Sequence, residues 1–157
     1  PPEEVMMDRR VSWHDYFMGI ARVVASRSTC DRKHVGAVIV RDRRILSTGY
    51  NGSIRGLPHC DEVGHMMEGE HCVATIHAEA NAISKVASST QSCEGATLYI
   101  TLSPCRECSK LIHQSGIRRV VYQHAYKDDS GLRFLERAGV DLVHLPVIED
   151  PVKVDED

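Results

Sequence analysis

Apolar positions along the first part of this chain repeat with a helical period. Between residues 13 and 25 they recur at steps of three and four, which places one apolar stripe along a helix, formed by Trp13, Phe17, Ala21, Val24 and Ala25. Ser12 stands where it can cap this helix, and Asp15 falls in the first turn, where negative charge is favourable. We therefore expect a first helix whose whole stripe packs into the core.

Two runs rich in β-branched residues follow. Residues 35–40 and 45–50 are joined by a polar stretch, Arg41-Asp42-Arg43-Arg44, and this pattern predicts a β-hairpin whose second strand ends at the turn pair Asn51-Gly52. Residues 53–74 show neither period and contain two cysteines and three histidines. A stretch of this length without secondary structure is usually functional, or is held by something other than a core.

The rest of the chain alternates between helical and strand patterns. Helices are predicted at residues 77–87, 104–114 and 130–138, and strands at 96–101, 118–122 and 140–145. Gly116 and Gly139 stand just beyond two of the helices as stop signals. Because a helix joins the last two strands, these strands should be parallel. The pattern predicts an α/β fold in which helices cover a mixed sheet.

Length and charge narrow the class of protein. The 157 residues suit one domain, with a core at about 12–145 and an acidic tail at 149–157. A net charge of −3 gives no basic footprint, so long nucleic acid is not an expected partner. No apolar run approaches the roughly 18 residues of a membrane span, and the first residues lack a signal-peptide core. We expect a soluble, cytoplasmic protein without a membrane partner.

The strongest chemical signal is a pair of segments, His77-Ala78-Glu79 and Pro104-Cys105-Arg106-Glu107-Cys108. Cysteines three residues apart at a helix start present both thiols on one face, and the helix N-terminus favours the thiolate that metals bind. One histidine makes three ligands and leaves a fourth position open, as in catalytic zinc sites. Glu79 can then move protons beside the metal. H-x-E followed by P-C-x-x-C is typical of zinc-dependent nucleobase deaminases.

Further segments extend this match beyond the motif. The chain from about residue 12 to 145 resembles the deoxycytidylate (dCMP) deaminases of the cytidine deaminase-like superfamily, through residues 26–30, 35–38, 48–53, 77–83 and 101–105. The resemblance implies a three-layer α/β/α sandwich with a mixed five-stranded sheet. It also implies hydrolytic conversion of dCMP to dUMP and ammonia, which supplies dUMP for thymidylate synthesis.

The same resemblance implies regulation and assembly. Members of this family are activated by dCTP with Mg2+ and inhibited by dTTP, in homohexamers. Here the allosteric nucleotide would meet the turn at Asn51 and Gly52.

Carried over residue by residue, the resemblance implies that His77, Cys105 and Cys108 bind the catalytic zinc and that Glu79 transfers protons. Candidate contacts to the substrate are Arg27, Asn51, Ala78, Ser103 and Tyr126.

For three of these residues the sequence also allows a purely structural explanation. Asn51 would meet the sugar 3′-hydroxyl, although a turn alone explains an asparagine there. The planar guanidinium of Arg27 suits a 5′-phosphate, although it can equally be a solvated residue at a helix end. Tyr126 closes over the pyrimidine or is simply packed.

The resemblance also implies a second, structural zinc that pins the long stretch at residues 53–74, and a closed metal site would stabilise a segment without a core. The proposed ligands are Cys30, Cys60, His65 and His71, with Cys72 as a substitute for either histidine. The alternative is that Cys30 and Cys72 are small buried hydrophobes.

The sequence motifs are compatible with three other functions. A tRNA or other nucleic-acid deaminase of the same superfamily would need basic surface for phosphates. A deaminase of free cytidine would not need a phosphate clamp, so Arg27 separates it from a nucleotide enzyme. In a catalytically inactive zinc-binding module, Glu79 would have no role.

Overall fold

The computed structural model describes residues 10–29, 33–53, 55–68, 71–72 and 75–147. The helices in these ranges are α1 (Trp13–Ala25), α2 (Cys60–Val63), α3 (Ala78–Ala87), α4 (Arg106–Gln114) and α5 (Ser130–Arg137). The strands are β1 (Gly36–Arg41), β2 (Arg44–Tyr50), β3 (Gly52–Ser53), β4 (Met67–Glu68), β5 (His71–Cys72), β6 (Thr75–Ile76), β7 (Thr97–Leu102), β8 (Arg119–His124) and β9 (Asp141–His144). None of these helices is long and apolar enough to cross a membrane.

Five strands form one mixed sheet in the order β2-β1-β7-β8-β9. Strand β1 is antiparallel to both β2 and β7, whereas β7, β8 and β9 are parallel to one another. The expected hairpin is confirmed, and its two-residue turn places Asp42 and Arg43 at positive φ (52° and 61°), the geometry that follows the twist of paired strands. The predicted α/β sandwich around a mixed five-stranded sheet is confirmed.

Side chains along each strand point alternately to the two faces of the sheet, and this divides the core into two layers. On one face of the sheet α1 packs against β1, β7 and β8 through Phe17, Met18, Ala21, Val38, Val40, Tyr99 and Val121. On the other face α3, α4 and α5 pack against Ala37, Ile39, Leu98, Ile100 and Val120. Because neighbouring residues in a strand point to opposite faces, each strand serves both layers.

The first helix departs from expectation at one end. Ser12 caps it as predicted, since its Oγ accepts a hydrogen bond from the Asp15 N–H at 3.1 Å, and Phe17, Ala21 and Ala25 are buried. Trp13 was expected in the core but is 49% exposed. Its ring stacks on Phe17 at 5.9 Å and lies 4.8 Å below the Arg43 guanidinium. These contacts at the helix start take the place of core burial, so the buried stripe begins at Phe17.

Two other expectations need correction. The stretch at residues 53–74, expected to lack structure, contains the short helix α2 and the paired strands β4 and β5. These elements are two to four residues long, which is too short for a periodic pattern to show. The helix expected to start at residue 104 begins at Arg106, because Cys105 holds an extended N-cap conformation.

Strand β2 and helix α3 are in backbone contact at Gly49. A Cβ atom there would lie 2.5 Å from the Ala78 carbonyl oxygen and 2.6 Å from the Ala82 nitrogen. Only a residue without a side chain allows this approach. The contact sets the position of the start of α3 relative to the sheet.

Gly49→Ala should therefore lower the free energy of unfolding by about 1–3 kcal/mol, since the added methyl group forces β2 and α3 apart. Gly19→Ala is the matched control. A Cβ at Gly19, inside α1, meets only Arg22 Nη2 at 3.7 Å, so this change should raise stability by about 0.5–1 kcal/mol. Urea unfolding of both variants measures the difference, and equal stability of the two would contradict the tight contact.

Candidate active site and metal centre

Two helix starts meet at one end of the sheet. His77 is the N-cap of α3 and Cys105 is the N-cap of α4, and both have extended backbone conformations. The Cys105 Sγ accepts a hydrogen bond from the Cys108 N–H at 3.4 Å, which closes the first turn of α4. Unpaired N–H groups at helix N-termini create positive potential, which favours thiolates.

The three predicted metal ligands lie together. His77 Nδ1 is 3.3 Å from Cys108 Sγ and 3.7 Å from Cys105 Sγ, and all three donor atoms lie within 4.8 Å of one another. With Zn–N near 2.0 Å and Zn–S near 2.3 Å, a tetrahedral zinc separates its N and S ligands by about 3.5 Å. The donor set therefore fits zinc in both chemistry and spacing. Three protein ligands leave the fourth position open.

The two thiols differ in their pKa values. A hydrogen bond from Cys108 lowers the pKa of Cys105 to about 4, against the effect of burial. The same hydrogen bond and burial raise the pKa of Cys108. The hydrogen bond to Cys105 also raises the pKa of His77. Metal binding must therefore displace protons from this cluster.

Glu79 lies beside the ligands without belonging to the donor set. Its side chain is buried, with 4% of the residue exposed, and its Oε1 is 3.7 Å from His77 Nδ1. Burial raises the pKa of this carboxyl. Because His77 precedes the helix and Glu79 is in its first turn, the two side chains converge although they are only two residues apart. A buried carboxyl in this position can hold and transfer a proton.

Asn51 is an internal anchor of the loops around the site. Its Oδ1 accepts a hydrogen bond from the Val35 N–H at 2.9 Å, and its Nδ2 donates to the Lys33 carbonyl at 2.7 Å. The Ser28 hydroxyl donates to the Asn51 carbonyl at 2.9 Å. Asn51 thus ties the chain before β1 to the turn after β2. An amide also carries a second hydrogen and a second lone pair for a ligand.

Ser103 and Tyr126 form a second anchor at the ends of β7 and β8. The buried Ser103 Oγ accepts a hydrogen bond from the Tyr126 N–H at 2.7 Å, and the Ser103 N–H donates to the His124 carbonyl at 2.8 Å. Ala78 is buried at the start of α3. Arg27 is exposed in the turn after α1, where its N–H donates to the Val24 carbonyl.

Lys33 is a neighbour of the site that the sequence interpretation missed. Its Nζ lies 4.1 Å from the centre of the Tyr126 ring, and its positive charge acts against the net rise in the His77 pKa that the hydrogen bond to Cys105 causes. In the sequence this lysine stands in a basic stretch before β1, which is the pattern of a solvated segment. The hydrogen bond from the Asn51 amide to the Lys33 carbonyl, which only the folded chain shows, identifies this lysine as a neighbour of the site.

The expected second zinc site stays a prediction. Cys30 lies outside the described residues, as do the side chains of Cys60, His71 and Cys72. His65 is described and half-buried. The acidic tail at residues 149–157 also lies outside the described part of the chain.

Comparison with known proteins agrees with this geometry. Residues 11–124 match the family model of the cytidine and deoxycytidylate deaminase zinc-binding region. The deoxycytidylate deaminase of Mycobacterium phage D29 is 45% identical over 125 residues, which cover 72% of this chain and 95% of the relative. ComE operon protein 2 of Bacillus subtilis (strain 168) is 47% identical over 132 residues, covering 83% of this chain and 70% of that protein.

A solved structure shows the same architecture. The dCMP deaminase from the cyanophage S-TIM5, crystallised with dCMP and dUMP, superposes with a TM-score of 0.77 and 34% sequence identity. The match covers 83% of this chain and 95% of that one. Fold and ligand set together define a zinc-binding deaminase. The chain belongs to the cytidine and deoxycytidylate deaminase family.

Glu79→Gln should keep the bound zinc and lower deaminase turnover by about 10²–10⁴-fold, because the amide fills the same space but cannot relay a proton. Zinc content and ammonia release measure the two effects. Glu107→Gln is the control, since Glu107 is exposed on α4 and paired with Lys110 at 2.9 Å. Loss of zinc in Glu79→Gln would make Glu79 a ligand and not a proton carrier.

Proposed function

We propose that the chain catalyses the zinc-dependent hydrolytic deamination of dCMP to dUMP and ammonia, and so supplies dUMP for thymidylate synthesis. The observation that carries this proposal is the buried carboxyl of Glu79 beside a His-Cys-Cys donor set with an open fourth position. Similarity to the cyanophage S-TIM5 dCMP deaminase supports dCMP as the substrate.

The reaction adds water at C4 of cytosine and breaks the C4–N4 bond. A bound zinc would supply a water whose pKa is about 7, which is a nucleophile at neutral pH. Glu79 accepts the proton that the water loses and passes it to N3. It then takes the proton of the hydroxyl group now on C4 and transfers it to the departing amine as the C4=O double bond forms, so that water and dCMP give dUMP and ammonia. The raised pKa of this buried carboxyl suits it to both accept and donate.

The remaining residues hold the nucleotide in the proposed complex. Ala78 and Ser103 contact the base at the start of α3 and the end of β7, and Tyr126 closes over the pyrimidine. Asn51 binds the 3′-hydroxyl with the second hydrogen of its amide. Arg27 binds the 5′-phosphate.

Lys33 supplies a second cation on the side of Tyr126. A cation that lies against the Tyr126 ring and acts electrostatically on His77 can attract an anionic substrate.

Regulation and assembly belong to the same proposal. The enzyme is a homohexamer that is activated by dCTP with Mg2+ and inhibited by dTTP, with the nucleotide bound at Asn51 and Gly52. Both residues are buried, Asn51 between β2 and β3 and Gly52 as the first residue of β3. Asn51 also anchors the loop before β1, so a ligand at this turn would act directly on the segment that carries Lys33.

Ammonia release should be much faster from dCMP than from deoxycytidine. Arg27→Ala should raise the KM for dCMP by about 10–100-fold, which corresponds to a charge-assisted hydrogen bond of roughly 1.5–3 kcal/mol. The KM for deoxycytidine should not change. Arg137→Ala, which removes an exposed charge from α5, is the control. Repeating the assay with dCTP and MgCl2, or with dTTP, tests regulation.

Other results of this assay identify the competing functions. Equal rates on dCMP and deoxycytidine indicate a nucleoside deaminase. Activity that appears only with an RNA stem-loop indicates a nucleic-acid deaminase of the same superfamily. No activity on any of these substrates in zinc-loaded protein indicates an inactive zinc-binding module.

Cys60→Ser should reduce the zinc content from two equivalents to one and lower the melting temperature. The reason is that a structural zinc, held by Cys30, Cys60, His65 and His71 with Cys72 as a substitute, would no longer close its segment. Metal analysis of the purified protein measures the stoichiometry. Cys93→Ser is the control because Cys93 is buried in the core on the α3 side of the sheet. An unchanged zinc content in Cys60→Ser would remove the second site.

A further inference from the structure

A cavity of about 420 Å³ lies between the second half of α1 and the carboxyl ends of β7 and β8. Its polar lining comes from Arg22 on α1, Lys33 and His34 before β1, Thr101 on β7, and Gln123 and His124 on β8. Cavities that bind small molecules measure about 300–1,000 Å³. This one is large enough for more than a single inorganic anion.

The cavity lies on the α1 face of the sheet and reaches around the ends of β7 and β8. Tyr99 and Val121 pack against α1, and residues two apart in a strand share a face, so Thr101 and Gln123 also face α1. The metal ligands stand at the starts of α3 and α4, and these helices pack on the opposite face. Thr101 and Gln123 therefore line the cavity from the α1 side, and Leu102 and His124, which face the other side, line it where the strands end.

The charge of the lining is of one sign. Arg22 and Lys33 are cationic, and the imidazoles of His34 and His124 complete the polar lining. No acidic side chain lines the cavity among the residues that the structure describes. Cations gathered around a concave surface without a counter-charge attract anions.

A buried hydrogen-bond donor in the lining lacks a partner. Gln123 is 3% exposed, and its Nε2 makes no hydrogen bond. Buried polar atoms are nearly always paired, so an unpaired amide N–H indicates a missing acceptor. Thr101 Oγ1 accepts a hydrogen bond from the Gly36 N–H at 3.2 Å, which leaves its hydroxyl hydrogen as a donor. An oxyanion would supply acceptors for both groups.

We propose that this cavity binds a phosphate monoester of a small molecule at a site distinct from the metal centre. The guanidinium of Arg22 is the main charged contact, since its planar fork matches phosphate oxygens. The Gln123 amide and the Thr101 hydroxyl supply neutral donors. The space beyond the phosphate accommodates the organic part of the ligand.

Calorimetric titration of the zinc-loaded protein with inorganic phosphate and with ribose 5-phosphate tests this site. Both should bind, and ribose 5-phosphate should bind more tightly because the cavity is larger than phosphate. Arg22→Gln and Gln123→Met should each raise both dissociation constants at least tenfold. Arg137→Gln, which changes the net charge equally on exposed α5, should leave them unchanged. If Gln123→Met does not fold, Arg22→Gln alone decides.

Three results would overturn the proposal. The first is that neither compound binds, or that binding is unaffected by both cavity variants. The second is binding of inorganic phosphate without ribose 5-phosphate, which contradicts a monoester ligand. The third is a tenfold rise in the KM for dCMP, but not in the KM for deoxycytidine, in Arg22→Gln. Because Lys33 lines the cavity and also contacts Tyr126, this result would make the cavity the phosphate subsite of the substrate.

Discussion

The site depends on placing three acidic groups around one imidazole. Cys105, Cys108 and Glu79 surround the His77 imidazole, and burial opposes the ionisation of Glu79. Without a counter-charge only one of the two thiols is readily ionised, because the other donates a hydrogen bond to it. Two thiolates need a divalent cation and the positive potential of two helix starts. The two thiolates together carry a negative charge that the protein groups around them do not neutralise, and a bound zinc ion supplies the missing positive charge.

The sheet makes this arrangement precise. The contact of Gly49 with the backbone of α3 sets where His77 and Glu79 lie, and the end of β7 leads directly to Ser103 and Cys105. Hydrogen bonds from Asn51 to the segment before β1, and from Tyr126 to Ser103, hold the surrounding loops. Catalytic side chains that are held by packed helices and strands, and by hydrogen bonds from neighbouring residues, keep their geometry better than side chains on mobile loops do.

The two faces of the sheet carry different chemistry. The α3–α4 face holds soft metal ligands beside a buried carboxyl, whereas the α1 face holds a cationic cavity with an unpaired amide at Gln123. This separation follows from strand alternation, because consecutive residues at the ends of β7 and β8 project to opposite sides. Lys33 contributes to both regions, through Tyr126 on one side and the cavity lining on the other.

Local patterns in the sequence were enough to predict the five strands of the main sheet, its four longer helices and the pairing of Cys105 with Cys108 on one helix start. The Ser12 cap, the hairpin at Asp42 and Arg43, and the spacing of Cys105 and Cys108 each depend on residues within a few positions of one another. The tertiary structure alone decided that Trp13 is half exposed, that Asn51 anchors Lys33 and Val35, and that Gln123 faces a cationic cavity. These features depend on contacts between segments distant in the chain, and no local period reports which distant groups a side chain will meet.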